Sequence, residues 1–392
     1  MKKTPFHPEY VRLGARMIPF GEWEMPVQFA GILAEHNAVR KNVGLFDISH
    51  MGQVWVTGSA SFAFLQNLLS NDISRLQTGK GQYTLMCRPD GCIVDDLYVF
   101  LMGTDTYLLI INAGRRTEDM TWILDQAGSR AGLRIEEQKT NAGLALQGPR
   151  AAAIMDKLVR SDYLAGSVLS LKRNEARGFS VNPLLKPSTE NRPSDITPAY
   201  IGHETVTTIP DIVVSRTGYT GEDGFEFFGR AEHLLALHDN FHHLDVPLCG
   251  LGCRDTLRLE MGYRLYGQDL DERHTALESG LQWVVKLDKG DFIGRDALRR
   301  EKESGSRRRF IGFRLAKGAG VPRHEHRLVS GGQTVGIVTS GSFSPSLGVG
   351  IGMGFVENAL FKDNAPLSIR IHDKDVPTEI VVPPFHKPQT VV

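Results

Sequence analysis

The chain has 392 residues, 41% hydrophobic and 23% charged, which is the composition of a globular protein long enough for two or three domains. Lys and Arg number 45, as do Asp and Glu, and a net charge near zero argues against binding of nucleic acid or a membrane surface, which needs a basic excess. Only four cysteines, no apolar run of ~20 residues and no signal-peptide core among the first residues lead us to expect reduced thiols in a cytoplasmic protein.

Helical and strand patterns alternate along residues 29 to 159. Apolar residues recur at helical spacing in four segments, which we predict to form helices over residues 29–42, 61–69, 117–129 and 151–159. Apolar and β-branched runs between them predict strands over residues 54–56, 83–86, 92–102, 107–111 and 144–147. The last of these strands ends at a Gly-Pro pair, which breaks regular structure.

Residues 103–105 read Gly-Thr-Asp, which predicts the loop of a hairpin between two of these strands. If all three residues form the loop, Met102 lies opposite Thr106, and the same register places Asp96 opposite Asn112. Directly opposite side chains have Cβ atoms roughly 4.5–5.5 Å apart, so an acid and an amide are expected side by side. Because side chains alternate along a strand, the adjacent residues Asp95 and Asp96 are expected to face opposite sides of the sheet.

The second half of the chain begins with a break in periodicity. Residues 179–210 contain several prolines with Ser, Thr and Asn between them, which predicts a long surface loop or insertion. A strand over 213–215 and helices over 232–244 and 253–261 follow. Residues 299–309 are rich in charge and predict a flexible linker. Beyond it, short strands predict a small all-β barrel or sandwich, over residues 310–315, 333–340, 350–356, 367–371 and 379–382.

Two adjacent acids, Asp95 and Asp96, stand within an apolar strand pattern. An unpaired buried carboxylate is costly, so one interpretation is an exposed edge or a salt-bridged pair. The other is an acid placed to accept a hydrogen bond from a ligand and to stabilise charge at a reacting nitrogen. Spacing alone leaves both interpretations open.

The glycine-rich segment 216–226 carries Tyr219 and Glu226 among three glycines. Glycines permit tight backbone geometry, and a tyrosine and a carboxylate held there would recognise a heterocycle by stacking and by pairing with its N–H groups. The alternative is a hairpin with glycine turns and solvent-facing acids. Arg254, at the start of a later helix, would hold a polar group of a ligand or pair with a neighbouring acid.

A metal site is a weaker hypothesis. Cys249 and Cys253 lie near His242 and His243 in the sequence. The gap between the two cysteines is not the two-residue gap of a zinc knuckle, and cysteine is a common core residue, so core packing is favoured. Phosphate-binding glycine loops of the two common types are absent from the sequence, so a nucleotide site is not indicated.

In this order, the motifs resemble the aminomethyltransferase (T-protein) family of the glycine cleavage system, a branch of a folate-binding superfamily. The resemblance extends over nearly the whole chain. The segments that carry it are residues 23–28, 44–52, 82–86, 95–97, 146–149, 216–226, 254–260, 265–267 and 339–341.

The resemblance implies an α+β fold with a three-domain, cloverleaf-like arrangement of antiparallel sheets and helices. Residues 1–300 would form the folate-binding region, as two interleaved α+β domains with the insertion at about 179–210. Residues 308–392 would form a small C-terminal β-barrel.

The resemblance also implies a binding site for tetrahydrofolate, which is a substrate, and no metal. Asp96 would be the catalytic residue, near the folate nitrogens that receive the carbon unit. The folate-binding residues would be Met51, Asn112, Tyr219, Glu226 and Arg254.

The implied reaction begins with an aminomethyl group on the dihydrolipoyl arm of a carrier, the H-protein. Ammonia leaves, and the methylene carbon passes to tetrahydrofolate to give 5,10-methylenetetrahydrofolate and the reduced lipoyl carrier. Two alternatives are a folate-dependent demethylase of a small methyl donor and a non-enzymatic folate-binding protein of iron–sulfur assembly. Relatives of the latter kind carry a cysteine motif near residues 263–268, and this chain has none there.

Overall fold

The computed structural model of the protein describes residues 1–160, 166–181, 201–204, 209–362 and 365–388. The α-helices within these residues are α1 (His7–Arg12), α2 (Ile32–Lys41), α3 (Ser61–Leu68), α4 (Arg116–Ala127), α5 (Ala151–Arg160), α6 (Ala231–His243), α7 (Leu251–Glu260) and α8 (Arg295–Ser304). None of the helices in this part of the chain is long and apolar enough to cross a membrane.

The strands of the first 300 residues are β1 (Lys2–Lys3), β2 (Arg16–Phe20), β3 (Trp23–Gln28), β4 (Gly44–Asp47), β5 (Gly52–Thr57), β6 (Lys80–Cys87), β7 (Ile93–Gly103), β8 (Thr106–Ile111), β9 (Arg134–Glu137), β10 (Asn141–Gln147), β11 (Ala176–Val181), β12 (Ile201–Glu204), β13 (Ile212–Ser215), β14 (Gly224–Arg230) and β15 (Leu248–Cys249). The later strands are β16 (Arg308–Leu315), β17 (Arg327–Ser330), β18 (Gln333–Ser344), β19 (Val349–Glu357), β20 (Leu367–Ile371) and β21 (Lys374–Val381).

The strands form three open sheets and one closed barrel. A five-stranded antiparallel sheet has the order β6-β7-β8-β5-β9, and a seven-stranded sheet has the order β12-β11-β13-β14-β10-β4-β15. The short N-terminal strands pair in the order β1-β3-β2, and the barrel closes as β16-β19-β18-β17-β20-β21. The α+β class and the C-terminal barrel predicted from the sequence are therefore confirmed.

The five-stranded and seven-stranded sheets pack face to face. The core cluster between them takes Trp55, Phe100 and Leu108 from the smaller sheet and Phe46 and Phe228 from the larger one. The outer face of the smaller sheet is covered by α3 and α4, and that of the larger sheet by α1, α5 and α6. This arrangement places the edge strand β6 and its neighbour β7 beside the loop that joins β13 to β14.

The predicted hairpin register is correct along most of its length. Tyr98 pairs with Ile110, and the pairing of Leu101 with Tyr107 keeps the same register. The turn differs from the prediction, because a bulge after Leu101 brings Gly103 opposite Thr106 and leaves a two-residue turn. The bulge absorbs one residue near the turn, so the register at the far end of the hairpin is unchanged.

Of two predictions about irregular segments, one falls mostly outside the described residues and the other is wrong. Strand β11 continues to Val181 at the start of the predicted loop at 179–210, and β12 lies within it at Ile201–Glu204; residues 182–200 and 205–208 lie outside the described residues. The linker predicted over 299–309 is wrong, because α8 continues to Ser304 and β16 begins at Arg308. Its Arg, Lys and Glu residues are strong helix formers, and the fully buried Leu298 anchors the helix.

The barrel is joined to the rest of the protein by buried polar groups of α7. Arg258 is 1% exposed and donates a hydrogen bond of 2.9 Å from Nη2 to Ser340 Oγ. Glu260 accepts a hydrogen bond of 2.5 Å from Ser344 Oγ and two, of 3.0 and 2.9 Å, from the guanidinium of Arg40. The motifs at 254–260 and 339–341 therefore meet at this junction.

Candidate functional site

A cavity of about 590 Å³ opens where the edge of the five-stranded sheet faces the β13–β14 loop. Strands β6 and β7 contribute Tyr83, Asp96 and Tyr98 to its wall. The opposite wall is formed by residues 216–219 and 221–224 and by Tyr263, with Trp283 also on the lining. A cavity of this size and mixed polarity is in the range of a small-molecule site.

Asp96 presents its carboxyl group to this cavity and is held by two neighbours. Tyr83 donates a hydrogen bond of 2.9 Å from its hydroxyl to Asp96 Oδ2, and Asn112 donates one of 2.9 Å from Nδ2 to Asp96 Oδ1. Burial, and after it the adjacent charge of Asp95, raise the pKa of Asp96 to about 7. Burial also raises the pKa of Tyr83 well above its ordinary value, so its hydroxyl stays a donor.

Asn112 lies behind Asp96, where the hairpin register predicted it. Its Nδ2 also donates hydrogen bonds of 3.0 Å to Asp95 Oδ1 and 2.9 Å to the backbone oxygen of Asp96. One amide group thus bridges both acids. Asp95 is fully buried on the opposite side of β7, together with Leu97, as alternation predicted. Asp95 and Asp96 therefore occupy different environments, one in the core and one at the cavity.

Two aromatic residues that the sequence did not identify complete this wall. Tyr83 stacks on Trp283 with ring centroids 5.7 Å apart and an interplanar angle of 17°. Trp283 lies in a single 3₁₀ turn (Gln282–Val284), and its side chain remains 57% exposed although it is aromatic. The free ring face at the cavity is a platform for a flat ligand.

The glycine-rich loop wraps around the side chain of Gln147. Thr220 donates a hydrogen bond of 2.8 Å from its hydroxyl to Gln147 Oε1, and Gln147 Nε2 donates one of 3.1 Å to the backbone oxygen of Thr217. A Cβ atom on Gly218 would lie 1.9 Å from Gln147 Oε1. Glycine is therefore required there by close approach, which explains why the motifs at 146–149 and 216–226 occur together.

The hairpin alternative predicted that the acids of this loop face solvent. Two of them are instead buried. Asp223 accepts hydrogen bonds of 2.9 and 2.8 Å from the guanidinium of Arg216, in a paired arrangement. Glu222 Oε1 accepts one of 3.0 Å from Arg40. Both acids are 7% exposed, and their ion pairs close the loop into a fixed shape.

Tyr219, Arg254 and Glu226 form a half-buried group beside the cavity. The guanidinium of Arg254 lies 4.8 Å from the ring centroid of Tyr219, and Tyr219 stacks on Tyr263 at 5.7 Å. Glu226 accepts a hydrogen bond from the hydroxyl of Thr217. Burial lowers the pKa of Arg254 and raises that of Glu226, while the charge of each group opposes the shift of the other.

Of the six residues predicted for the site, Asp96 and Tyr219 line the cavity directly. Asn112 contacts Asp96, and Arg254 contacts Tyr219. Met51 packs against the core between the two sheets. Glu226 belongs to the group with Tyr219 and Arg254, and neither Glu226 nor Met51 is on the lining. That all six contact folate stays a prediction.

Two buried donors near the cavity have no acceptor among the described residues. These are Gln82 Nε2 and Arg254 Nη1. Buried donors are nearly always paired, so their positions favour a ligand that carries acceptor atoms. Within the described ranges, no group of three or more His, Cys, Asp and Glu residues could hold a metal ion. Cys249 and Cys253 are instead free thiols of the core between the sheets.

Comparisons with known proteins agree with one another. The family model of the GCVT N-terminal domain matches residues 6–181 and 184–289, and that of the glycine cleavage T-protein C-terminal barrel domain matches residues 308–387. An aminomethyltransferase of Halothermothrix orenii is 39% identical over 389 residues, covering 98% of this chain and 100% of that protein. One of Listeria welshimeri is 40% identical over 388 residues, covering 98% of each chain.

A solved structure gives the same result for the fold. The crystal structure of the glycine cleavage system aminomethyltransferase T from Bartonella henselae matches with a TM-score of 0.84 and 27% sequence identity. The match covers 99% of this chain and 98% of that one.

Proposed function

The chain belongs to the glycine cleavage T-protein family, and from this premise we propose that it is an aminomethyltransferase that uses tetrahydrofolate as its substrate. The observation that carries the proposal is the Asp96 carboxyl group on the wall of a cavity that also presents a free aromatic face. A folate needs both features, because its ring system is flat and its reacting atoms are nitrogens that become cationic.

The proposed donor is an aminomethyl group on the dihydrolipoyl arm of an H-protein. In the reaction the carbon loses its bonds to nitrogen and sulfur and gains bonds to N5 and N10 of tetrahydrofolate. The two protons from those folate nitrogens leave with ammonia and the lipoyl thiol. The products are 5,10-methylenetetrahydrofolate, ammonia and the reduced carrier.

Asp96 has the central role in this proposal. A carboxylate on the cavity wall stabilises the iminium-like cation that forms when ammonia leaves, and it does so more strongly in a site from which water is excluded. Tyr83 and Asn112 hold the two oxygens of Asp96 in place. The fixed geometry lowers the barrier mainly by orientation of the reacting atoms.

The pterin ring would stack on Trp283 and Tyr83, and its acceptor atoms would face the free donors of Gln82 and Arg254. The half-buried pair of Tyr219 and Arg254 would close one end of the site. The division into a folate-binding region at residues 1–300 and a barrel at 308–392 is also proposed, with support from the two family-model matches. We also propose that the protein is located in the cytoplasm.

The test is release of ammonia from an aminomethylated lipoyl carrier, with and without tetrahydrofolate. The proposal predicts rapid release that depends on folate and yields methylenetetrahydrofolate. Folate binding without ammonia release contradicts it. Turnover of a free small methyl donor in the absence of the carrier would identify a demethylase. Folate binding without any transfer would favour a role in iron–sulfur assembly.

A further inference from the structure

A third acid, Asp119, lies behind Asp95 and takes no part in the site described above. It belongs to the first turn of α4, on the face that also carries the buried residues Ile123 and Ala127. Its side chain is fully buried, and neither carboxyl oxygen has a donor partner within the described residues. Helical spacing places this residue against the core, where an apolar side chain would be the ordinary choice.

Asp119 accepts no hydrogen bond from a basic side chain among the described residues. The guanidinium whose charge acts on Asp119 is that of Arg115, whose Nη2 donates a hydrogen bond to Glu272 and whose Cζ lies 5.3 Å from the ring centroid of Tyr266. An ionised Asp119 would therefore be a buried charge without a hydrogen bond, which proteins avoid. A carboxyl group in this position avoids that cost by keeping its proton.

The group that can receive this proton in a hydrogen bond is Asp95. The side chains of Asp119 and Asp95 are in hydrogen-bonding contact, and Asp95 Oδ2 has no other donor among the described residues. Burial, and then the charge of Asp95, raise the pKa of Asp119 to about 11. The other charged or titratable groups that face Asp119 are Asp96, Arg115 and Tyr266.

From Asp95 the contacts continue to the cavity. Asp95 Oδ1 accepts the amide of Asn112 at 3.0 Å, and the same amide nitrogen holds Asp96 Oδ1 at 2.9 Å. The orientation of Asn112 depends on both acids being acceptors. A proton held on Asp119 satisfies the one oxygen of Asp95 that Asn112 does not reach.

We infer that Asp119 is a positioning residue that keeps a proton, donates it to Asp95 and thereby holds Asn112 and Asp96 in their working geometry. The inference rests on the proposed function, because it assigns Asp96 the role given there. Asp119 touches neither the cavity nor a substrate, so its effect passes entirely through Asp95 and Asn112.

Two substitutions test whether Asp119 acts as a hydrogen-bond donor or as a negative charge. Asp119→Asn keeps a neutral side chain with an N–H donor, so we expect turnover within about threefold of the wild type and an unchanged pH profile. Asp119→Leu keeps the volume but removes the donor. We expect kcat to fall about 10- to 100-fold, while KM for tetrahydrofolate changes little, because misplaced catalytic groups cost rate more than binding. Asp125→Asn, an exposed acid on the same helix, is the matched control.

A second readout does not depend on activity. Infrared spectra of the free protein at pH 9 should contain the carbonyl band of a protonated carboxyl group, because Asp96 is ionised at that pH whereas Asp119 is not. The band should disappear in both Asp119 variants and remain in the Asp125→Asn control.

The inference is overturned if the wild type lacks this band at pH 9, or if Asp119→Leu keeps wild-type kcat in a folded protein. It is also overturned if Asp119→Asn loses as much activity as Asp119→Leu. If the wild type releases no ammonia from the aminomethylated carrier, the proposed function fails instead, and the infrared band still decides where the proton lies.

Discussion

Asp96→Asn is expected to stabilise the protein while it lowers turnover. The folded protein keeps the proton of Asp96 up to a pH of about 7, whereas the unfolded chain loses it near the ordinary value of 3.8. Between these values the folded state binds more protons than the unfolded state, so the stability contributed by this group falls as pH rises and is lost above about 7. Asparagine has no such proton, and its contribution does not change with pH.

The magnitude follows from the pKa shift. The difference between about 7 and 3.8 is about 3 units, which corresponds to about 4 kcal/mol at a pH well above 7. At pH 5 only the interval from 3.8 to 5 counts, which gives about 1.6 kcal/mol. The unfolding free energy of the variant minus that of the wild type should therefore increase by about 3 kcal/mol from pH 5 to pH 9. Replacing the carboxyl group by an amide also removes one hydrogen bond, which lowers the stability of the variant by about 1 kcal/mol. This loss is the same at pH 5 and pH 9, so it does not change the expected increase.

The assay is urea unfolding of both proteins, followed by tryptophan fluorescence, at pH 5 and pH 9. Asp125→Asn serves as the control, because this acid is exposed and its substitution should give a difference that is flat with pH. In parallel, turnover of the wild type should rise with pH through about 7 as Asp96 ionises. A difference in unfolding free energy that stays constant between the two pH values would refute the assigned burial cost of Asp96.

Trp283→Ala should raise the Kd for tetrahydrofolate about tenfold through loss of stacking, whereas Trp283→Phe should keep most of the affinity; fluorescence titration measures both. Glu260→Gln should cost about 3 kcal/mol at pH 7, because the buried Arg40 keeps Glu222 as a partner but loses the carboxylate that accepts its other two carboxylate hydrogen bonds. Burial acts to raise the pKa of Glu260, but its hydrogen-bonded neighbours lower it to about 2. The wild type should therefore lose this stability as pH falls from about 4.5 through 2, which urea unfolding measures. Gly218→Ala should abolish folate binding, because its Cβ would lie 1.9 Å from Gln147, whereas Gly114→Ala, with open space around it, should bind normally.

Local rules predicted the parts of the site that lie close together in sequence. Turn chemistry and the period of a strand were enough to place Asp96 beside Asn112 and to turn Asp95 the other way. The bulge near the turn did not disturb the result, because it inserts its extra residue at the opposite end of the hairpin. The periodic helix α3 was located within one residue for the same reason.

The remainder depended on contacts between distant segments. Trp283 stands in a short 3₁₀ turn about 200 residues from Tyr83, and no local pattern marks its exposure at a cavity. Asp119 is one of several acids in a helix, and only tertiary packing shows that it is buried and that no N–H donor of the described residues reaches its carboxyl oxygens. The error at α8 had another cause, because charge was taken as a sign of flexibility where helix propensity and the buried Leu298 decide the structure.

The measurement that tests the central claim most directly is the simultaneous quantification of ammonia and 5,10-methylenetetrahydrofolate formed from the aminomethylated lipoyl carrier, by the wild type and by Asp96→Asn. We predict equal amounts of the two products from the wild type and a turnover lower by about 100-fold in the variant, which should still bind tetrahydrofolate. Ammonia release at an undiminished rate without folate, or unchanged turnover by a folded Asp96→Asn protein, would contradict the account.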